Sequence, residues 1–477
     1  MDAETAHANS PAVRSPARWE EFGRRLRHWR RRAGLTQAQV GIHVGYDHSA
    51  ISKLEGGSRE PSPRLVRRLD DLLGTGGELQ AAYTAAALPG QAGTGTGSIG
   101  LSLSTPLPGD GRALLADMEI LETLSWPSHL PSYGLACPLH DTAGCAVPVP
   151  AEALSTYLAS CAFDQTSPPP QSIDADAVHV LAALLAAYWQ AADERVAAVL
   201  VTVVEHALHA IVRWTEVLAG PYRRALLSLA AGYAQLAAVL RMQRGQHGMA
   251  AAWFGGGLRW AAMAEDLVAR VSLLGDMSTL ARLENDPQSA LAYARGIRAA
   301  GPDRPWVAAL ADLYEARAHG LGGDAAECHR HIAHARVHLT RFGERDELEA
   351  PWLCGAAGHL RVESSTGGAL RDIAVVTANR SVAGLAVQAI ERSLRHLPPH
   401  MRPARVMLTL RLADGYACAG NVETALVVAE SVLADAVAVP TTMISQELRG
   451  LRDRMVARWG GRPDVRDFAA RAGGFLY

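Results

Sequence analysis

From about residue 172 to residue 477, alanine and leucine recur at three- and four-residue spacing with almost no strand-like alternation. A stretch of that kind buries its apolar stripe only by packing helix on helix, so most of the chain is committed to an all-α architecture. Helix pairs recur within it. In RMQRGQHGMAAAWFGGGLRWA, LARLENDPQSALAYARGIRAA, EARAHGLGGDAAECHRHIAHA and DGYACAGNVETALVVAESVLA, a turn falls at Gly245, Asn285, Gly323 or Gly420. About five residues later comes a small or compact residue: Ala250, Ala290, Cys328 or Ala425. Such a residue lets two helices approach, and the first three turns are about 40 residues apart. Residues 350–400 fall out of this register.

Residues 35–59, LTQAQVGIHVGYDHSAISKLEGGSR, form two shorter helical patterns. Thr36 with Gln39 is a capping box that starts a helix at Gln37, and Gly45 can end it in the left-handed conformation. Asp47 caps the next helix, which runs to about Glu55 and stops at Gly56-Gly57. Val40, Val44, Ile51 and Leu54 have the spacing to lock the two through one apolar seam, leaving His48, Ser49, Ser52 and Lys53 outward. Upstream, Phe22, Leu26, Trp29 and Ala33 mark the oily side of a helix whose other positions hold Arg24, Arg25, Arg27, Arg30, Arg31 and Arg32. Ser62-Pro63 opens a fourth helix that buries Leu65, Val66, Leu69 and Leu72. Residues 18–73 carry 12 Lys or Arg against 7 Asp or Glu, whereas the whole chain is at −2. Basicity gathered at one end is the electrostatic footprint expected on phosphate.

The run R-x-x-A-G-L-T-Q, the central Gly45, Ile51-Ser52, Glu55-x-Gly57 and Pro61 resemble the XRE-type helix-turn-helix family, the Cro and phage-repressor class, over about residues 18–75. The resemblance implies a double-stranded DNA operator as partner. It implies that Gln37 bonds a phosphate and that His48, Ser49, Ser52 and Lys53 approach base edges or backbone. Arg24, Arg25 and Arg27 are the candidates for further phosphate contacts. Gly41 departs from the alanine usual in the family and should loosen the supporting helix by about 1 kcal/mol or less. The downstream helix pairs resemble a degenerate tetratricopeptide-type array. Head, linker and tail together look like the actinobacterial transcriptional regulators of that architecture, in which the tail dimerises and takes an effector.

The chain therefore divides into a disordered segment 1–17, a helix-turn-helix domain 18–87, a glycine-rich linker 88–111, a connecting segment 112–171 and a tetratricopeptide-like α-solenoid 172–477. Lys53 is the only lysine, against 45 arginines, so a phosphate-binding loop and Schiff-base chemistry have no lysine outside that position. No Ser-His-Asp order or His-Glu-x-x-His occurs either, and we expect no catalytic residue and no cofactor. Six scattered cysteines fit reduced thiols, and without a secretory signal or a long apolar run the expected location is cytoplasmic, with no membrane partner.

Two constellations have metal-ligand chemistry. Cys137, His140 and Cys145 lack paired Cys-x-x-Cys spacing, which favours buried loop cysteines over zinc. His331, His334 and His338 share a helical face with Cys328, but Arg330 and Arg336 lie alongside, which favours a solvated or partner-facing surface. Glu205, His206 and His209 form a weaker set. Tyr233, Trp260, Tyr293, Trp306, Tyr314, Trp352 and Tyr416 are the aromatic candidates for an effector groove, although most aromatics on hairpin helices fill core. The sequence thus points to a dimeric, sequence-specific DNA-binding regulator whose tail senses a small molecule or peptide. The alternative is control by a partner protein bound to the tail.

Overall fold

The computed structural model describes residues 19–33, 35–44, 46, 48–59, 61, 63–75, 78–87, 136–139, 142–143, 175–194, 200–438 and 441–473. The chain separates into two compact units, residues 1–102 and 103–477. The expected caps Gly45, Asp47 and Ser62, the linker 88–111, and His140 and Cys145 lie outside the described residues.

The first unit contains α1 (Glu20–Arg32), α2 (Gln37–Val44), α3 (His48–Glu55), α4 (Pro63–Leu73) and α5 (Glu78–Ala87). The capping box forms as the sequence predicts. Thr36 N–H donates to Gln39 Oε1 at 2.8 Å, and Gln39 N–H donates to Thr36 Oγ1 at 3.2 Å. Gly57, at φ 69°, terminates α3. Phe22, Leu26, Val40, Ile51, Leu54, Val66, Leu69 and Leu79 are fully enclosed. Two expected core positions differ. Ala33 is exposed beyond the end of α1, and Leu73 rather than Leu72 is the buried residue closing α4. Asp70 explains the fifth helix: its carboxylate accepts from the N–H groups of Leu79 and Gln80 at 3.2 and 3.1 Å, satisfying donors that a helix N-terminus leaves open.

The second unit is helical apart from one short antiparallel pairing among its described residues, β1 (Ala136–Cys137) with β2 (Thr142–Ala143). Its helices are α6 (Ala175–Glu194), α7 (Leu200–Val217), α8 (Pro221–Gln243), α9 (His247–Ala264), α10 (Leu267–Leu283), α11 (Pro287–Ala300), α12 (Pro305–Leu321) and α13 (Ala325–Leu339). After the short α14 (Glu344–Glu349) come α15 (Gly355–Thr377), α16 (Arg380–His396), α17 (Arg402–Ala419), α18 (Val422–Ala438), α19 (Thr442–Trp459) and α20 (Pro463–Gly473). Each of the four expected turn residues has positive φ: 71° at Gly245, 58° at Asn285, 78° at Gly323 and 97° at Gly420. The four compact residues after them, Ala250, Ala290, Cys328 and Ala425, are completely buried between paired helices. Burial pushes the Cys328 thiol up to about 12, so it acts there as a small apolar group.

Consecutive helices pack on one another from α6 to α13 and from α15 to α20, and α8, α10, α12, α15, α17 and α19 also pack one upon the next as an inner row. The row curls back on itself. Helix α6 touches α17, and α19 touches α8, with Thr442 Oγ1 donating to the Gln243 carbonyl at 3.1 Å and Gln446 Nε2 to the Leu283 carbonyl at 2.9 Å. Helix α8 is long and apolar enough to cross a membrane by composition, but 72% of its apolar stretch is buried among these neighbours.

Candidate functional site

In the first unit, three helices meet on one carboxylate. Glu55, the last residue of α3, has a fully buried side chain. Arg30 of α1 donates to its two oxygens at 2.5 and 3.1 Å, Arg27 Nε approaches at 3.3 Å, and Gln37 Nε2 at the start of α2 donates at 2.9 Å. Arg30 also donates to the Leu35 carbonyl at 2.9 Å, tying down the segment between α1 and α2. Burial alone would raise the Glu55 pKa, but the bonds from Arg30 and Gln37 and the charge of Arg30 outweigh it and hold the carboxyl below its ordinary value. Close approach of α1 to the end of α3 requires Gly23. A Cβ there would lie 2.5 Å from the Leu54 carbonyl oxygen and 2.6 Å from that of Glu55.

This bracing fixes the attitude of α3 and leaves one of its faces free. Val40, Val44, Ile51 and Leu54 are buried as the seam, while His48, Ser52 and Lys53 are exposed. Ser49 belongs to α3, and its side chain lies outside those described. The structure gives Gln37 a second task, since its amide nitrogen is bonded to Glu55. Arg25 pairs with Glu78 at 3.7 Å and Arg27 with Glu55, so both also hold helices together, while Arg24 is exposed. Sequence reasoning missed Gly23 and the hub role of Glu55. The signal was present in the Arg30, Gln37 and Glu55 of the repressor-like motif.

A short apolar seam, a braced second helix and an exposed polar face make a helix that can enter a major groove. Residues 21–82 match the family model described as a helix-turn-helix domain. The first unit carries a helix-turn-helix DNA-binding domain. Among curated proteins no relative matches the chain. The matched residues are a minor part of the sequence.

The aromatic candidates of the tail fall into its cores. Tyr233 and Trp306 are fully buried, Tyr233 donating to the Leu181 carbonyl at 2.8 Å and Trp306 Nε1 to Glu349 at 2.7 Å. Tyr314 packs over Gly275, Trp260 and Tyr293 pack beside neighbouring clusters, Trp352 lies edge-on to Trp306 with Arg361 over its ring, and Tyr416 donates to Glu391 at 2.7 Å. Charged side chains line the inner row instead. A cavity of about 470 Å³ is bordered by Arg282 of α10, Arg317 of α12, Arg371 and Asp372 of α15, Arg411 of α17, and Glu447 and Arg454 of α19, with none of the seven aromatics on its wall.

The histidine constellation is resolved into an ion-pair network. His331 is buried, Nδ1 lying 2.7 Å from Asp312 and Nε2 3.1 Å from Glu315, while His334 is exposed and His338 lies 3.6 Å from Asp312. The expected solvated face is therefore corrected at His331, which turns inward to meet two buried carboxylates of α12, Asp312 and Glu315. Asp312, His331 and His334, and likewise His319, Glu327 and His331, are close enough to share a metal ion. Arg298 already pairs with Asp312 Oδ1 at 2.7 Å, so a cation held by the first of these groups would share that carboxylate with a guanidinium. Glu205 is similarly engaged, by Arg241 and by Trp253 Nε1 at 2.8 Å.

One inner-row carboxyl yields a pH prediction. Burial raises Asp276 from 3.8 to about 6, against the opposing bond from Gln235 Nε2 at 2.7 Å. Above pH 6 the folded protein holds a poorly solvated charge, whereas below about pH 4 both folded and unfolded chains are protonated and the penalty vanishes. Asp276→Asn, whose side-chain oxygen can still accept from Gln235, should stabilise the protein by about 1–2 kcal/mol at pH 8. The advantage should shrink towards pH 4. Urea unfolding of both forms across this range checks it, and a gain independent of pH would contradict a charge origin.

Proposed function

We propose that the protein is a sequence-specific transcriptional regulator of the XRE type that binds operator DNA as a homodimer and responds to an effector held in its helical tail. The carrying observation is the helix-turn-helix domain with α3 braced on Glu55 and His48, Ser52 and Lys53 exposed. One such domain reads too few base pairs for genomic selectivity, so two are expected on an inverted repeat, one helical turn or a multiple of it apart. The curled inner row, with polar groups converging on a cavity, supports ligand sensing over catalysis, and no enzymatic role is proposed. Dimerisation through the tail would let a ligand alter head spacing.

The test is selection of operator DNA from a random pool by the full-length protein, followed by titration of the winning sequence. His48→Ala should weaken operator binding by about 1–3 kcal/mol and leave random DNA nearly unaffected. Lys53→Ala, if the ammonium meets phosphate, should weaken both and lower the salt slope by about one unit. Equal losses on both DNAs for His48→Ala would remove it from base reading. A selected site lacking two-fold symmetry would remove the dimer.

A further inference from the structure

We propose that the cavity among α10, α12, α15, α17 and α19 is a binding site for a small organic dianion, a phosphate monoester or a polycarboxylate, gripped by Arg282, Arg317 and their arginine neighbours. Five arginines converge there from five different inner-row helices: Arg282, Arg317, Arg371, Arg411 and Arg454. The carboxylates among them are Asp372, Asp414 and Glu447. Five positive charges against three negative leave two unmatched.

The pairing is also uneven. Arg371 bonds Asp414 at 2.6 Å and Glu447 at 2.8 Å and approaches Asp372 at 2.9 Å. Arg411 donates to Glu447 at 2.6 Å, and Arg454 donates to Asp414. These three are matched. Arg317, only 6% exposed, reaches Asp372 at 3.5 Å, and its Nη1 has no hydrogen-bond partner. Arg282 donates to Thr279 Oγ1 at 3.3 Å, and its Nε is buried and unbonded. Burial, followed by mutual repulsion, depresses the pKa of Arg317 well below its ordinary value, and burial also lowers that of Arg282. Guanidinium stays protonated in proteins, so both charges are held away from water, a cost that an anion beside them would offset.

Room for this charge is built into the backbone. A Cβ on Gly368, in the middle of α15, would lie 1.4 Å from Arg317 Nη1, so the glycine admits a guanidinium that any other residue would expel. A mid-helix glycine is unfavourable by about 1 kcal/mol relative to alanine. Planar guanidinium groups match carboxylate and phosphate oxygens two at a time, and a cavity of about 470 Å³ is the size of a metabolite site. An apolar signal or an uncharged peptide would leave the excess charge in place.

This inference rests on the effector reading and names its chemistry. Full-length protein is titrated calorimetrically with inorganic phosphate, glucose 6-phosphate and citrate, with glucose as the uncharged control, and its thermal unfolding is followed with each. At least one anion should bind and raise Tm, the effect weakening with added KCl, while glucose does nothing. Arg282→Gln and Arg317→Gln should each weaken that anion about tenfold or more. Because each removes part of the cluster's excess positive charge, each should also stabilise the anion-free protein. Loss of anion affinity together with a gain in stability is a signature that a purely structural arginine would not give. No binding by any anion of the panel overturns the proposal, as does binding unchanged in both variants. Operator titrations with and without the bound anion separate the two readings. Binding without any effect on DNA affinity leaves the site standing and removes its regulatory role, whereas an uncharged molecule that shifts DNA affinity while no anion binds does the reverse.

Discussion

Glu55→Ala should unfold the helix-turn-helix domain or leave it marginal, at a loss of about 3–5 kcal/mol, because it strands partners that a buried carboxylate holds. Arg30, whose side chain is 12% exposed, would lose two charged bonds, and Gln37 its only described acceptor. A domain of this size has a stability of about 5–15 kcal/mol at best, so operator and random DNA binding should fall together. Hydrogen exchange in the full-length protein reads the effect directly, with amides of α1 to α3 losing protection while those of the tail keep theirs. Glu55→Gln, which keeps an acceptor without the charge, should lose less. Since the Glu55 pKa is lowered on folding, its contribution is present above about pH 4.5 and disappears as pH falls through the lower folded value. Head protection unchanged in Glu55→Ala would mean that the apolar seam alone sets the angle of α3.

Arg30, Gln37 and Glu55 were visible in the sequence as parts of a repressor-like motif, but not as a hub bonded together. Local rules suffice where a single residue type is demanded by backbone geometry. Gly245, Asn285, Gly323 and Gly420 could be placed because positive φ favours glycine and asparagine, and Thr36 with Gln39 because the capping box closes within four residues. Glu265 and Ala378 make left-handed turns too, at φ 55° and 54°, and nothing in their side chains announces it. There the packing of paired helices overrides a local preference of about 1–2 kcal/mol.

The tail cavity was hidden for a different reason. Aromatic residues are scarce enough to attract notice, yet a large apolar side chain on a packed hairpin gains most by filling core, and Trp306 and Tyr233 do so. The arginines that line the cavity stand among 45 in the chain, and a composition that rich makes each one uninformative. Their sequence separations follow no fixed repeat, because the insertion of α14 and the Pro351–Leu353 turn shifts the register before α15. Only the curl of the inner row brings residues 282 and 454 to one wall.

Glu447→Ala should have the corresponding effect in the tail, again a loss of about 3–5 kcal/mol. Its carboxylate takes two bonds from Arg411 at 2.6 and 3.0 Å and two from Arg371 at 2.8 and 3.3 Å. Arg371 would retain Asp414, but Arg411, 8% exposed, would be left without a described carboxylate, adding to a wall that already carries excess positive charge. Helix α19 should open first, since Glu447 sits between Gln446, which reaches α10, and Leu448 in the packing of α19 against α17 and α20. Hydrogen exchange would then show α19 and α20 losing protection ahead of α8 to α13. Replacing both partners, Glu447→Met with Arg411→Met, should recover most of the loss, because a buried ion pair exchanged for apolar side chains of similar volume is often neutral. If the double variant is as unstable as Glu447→Ala, the instability lies in lost packing rather than in a stranded guanidinium. The acid response distinguishes them as well. Burial would raise the Glu447 pKa, but Arg371 and Arg411 hold it far below the ordinary 4.5. Its stabilisation is therefore full above that value and drains away as pH falls towards the folded one, a dependence that the apolar double variant should lack.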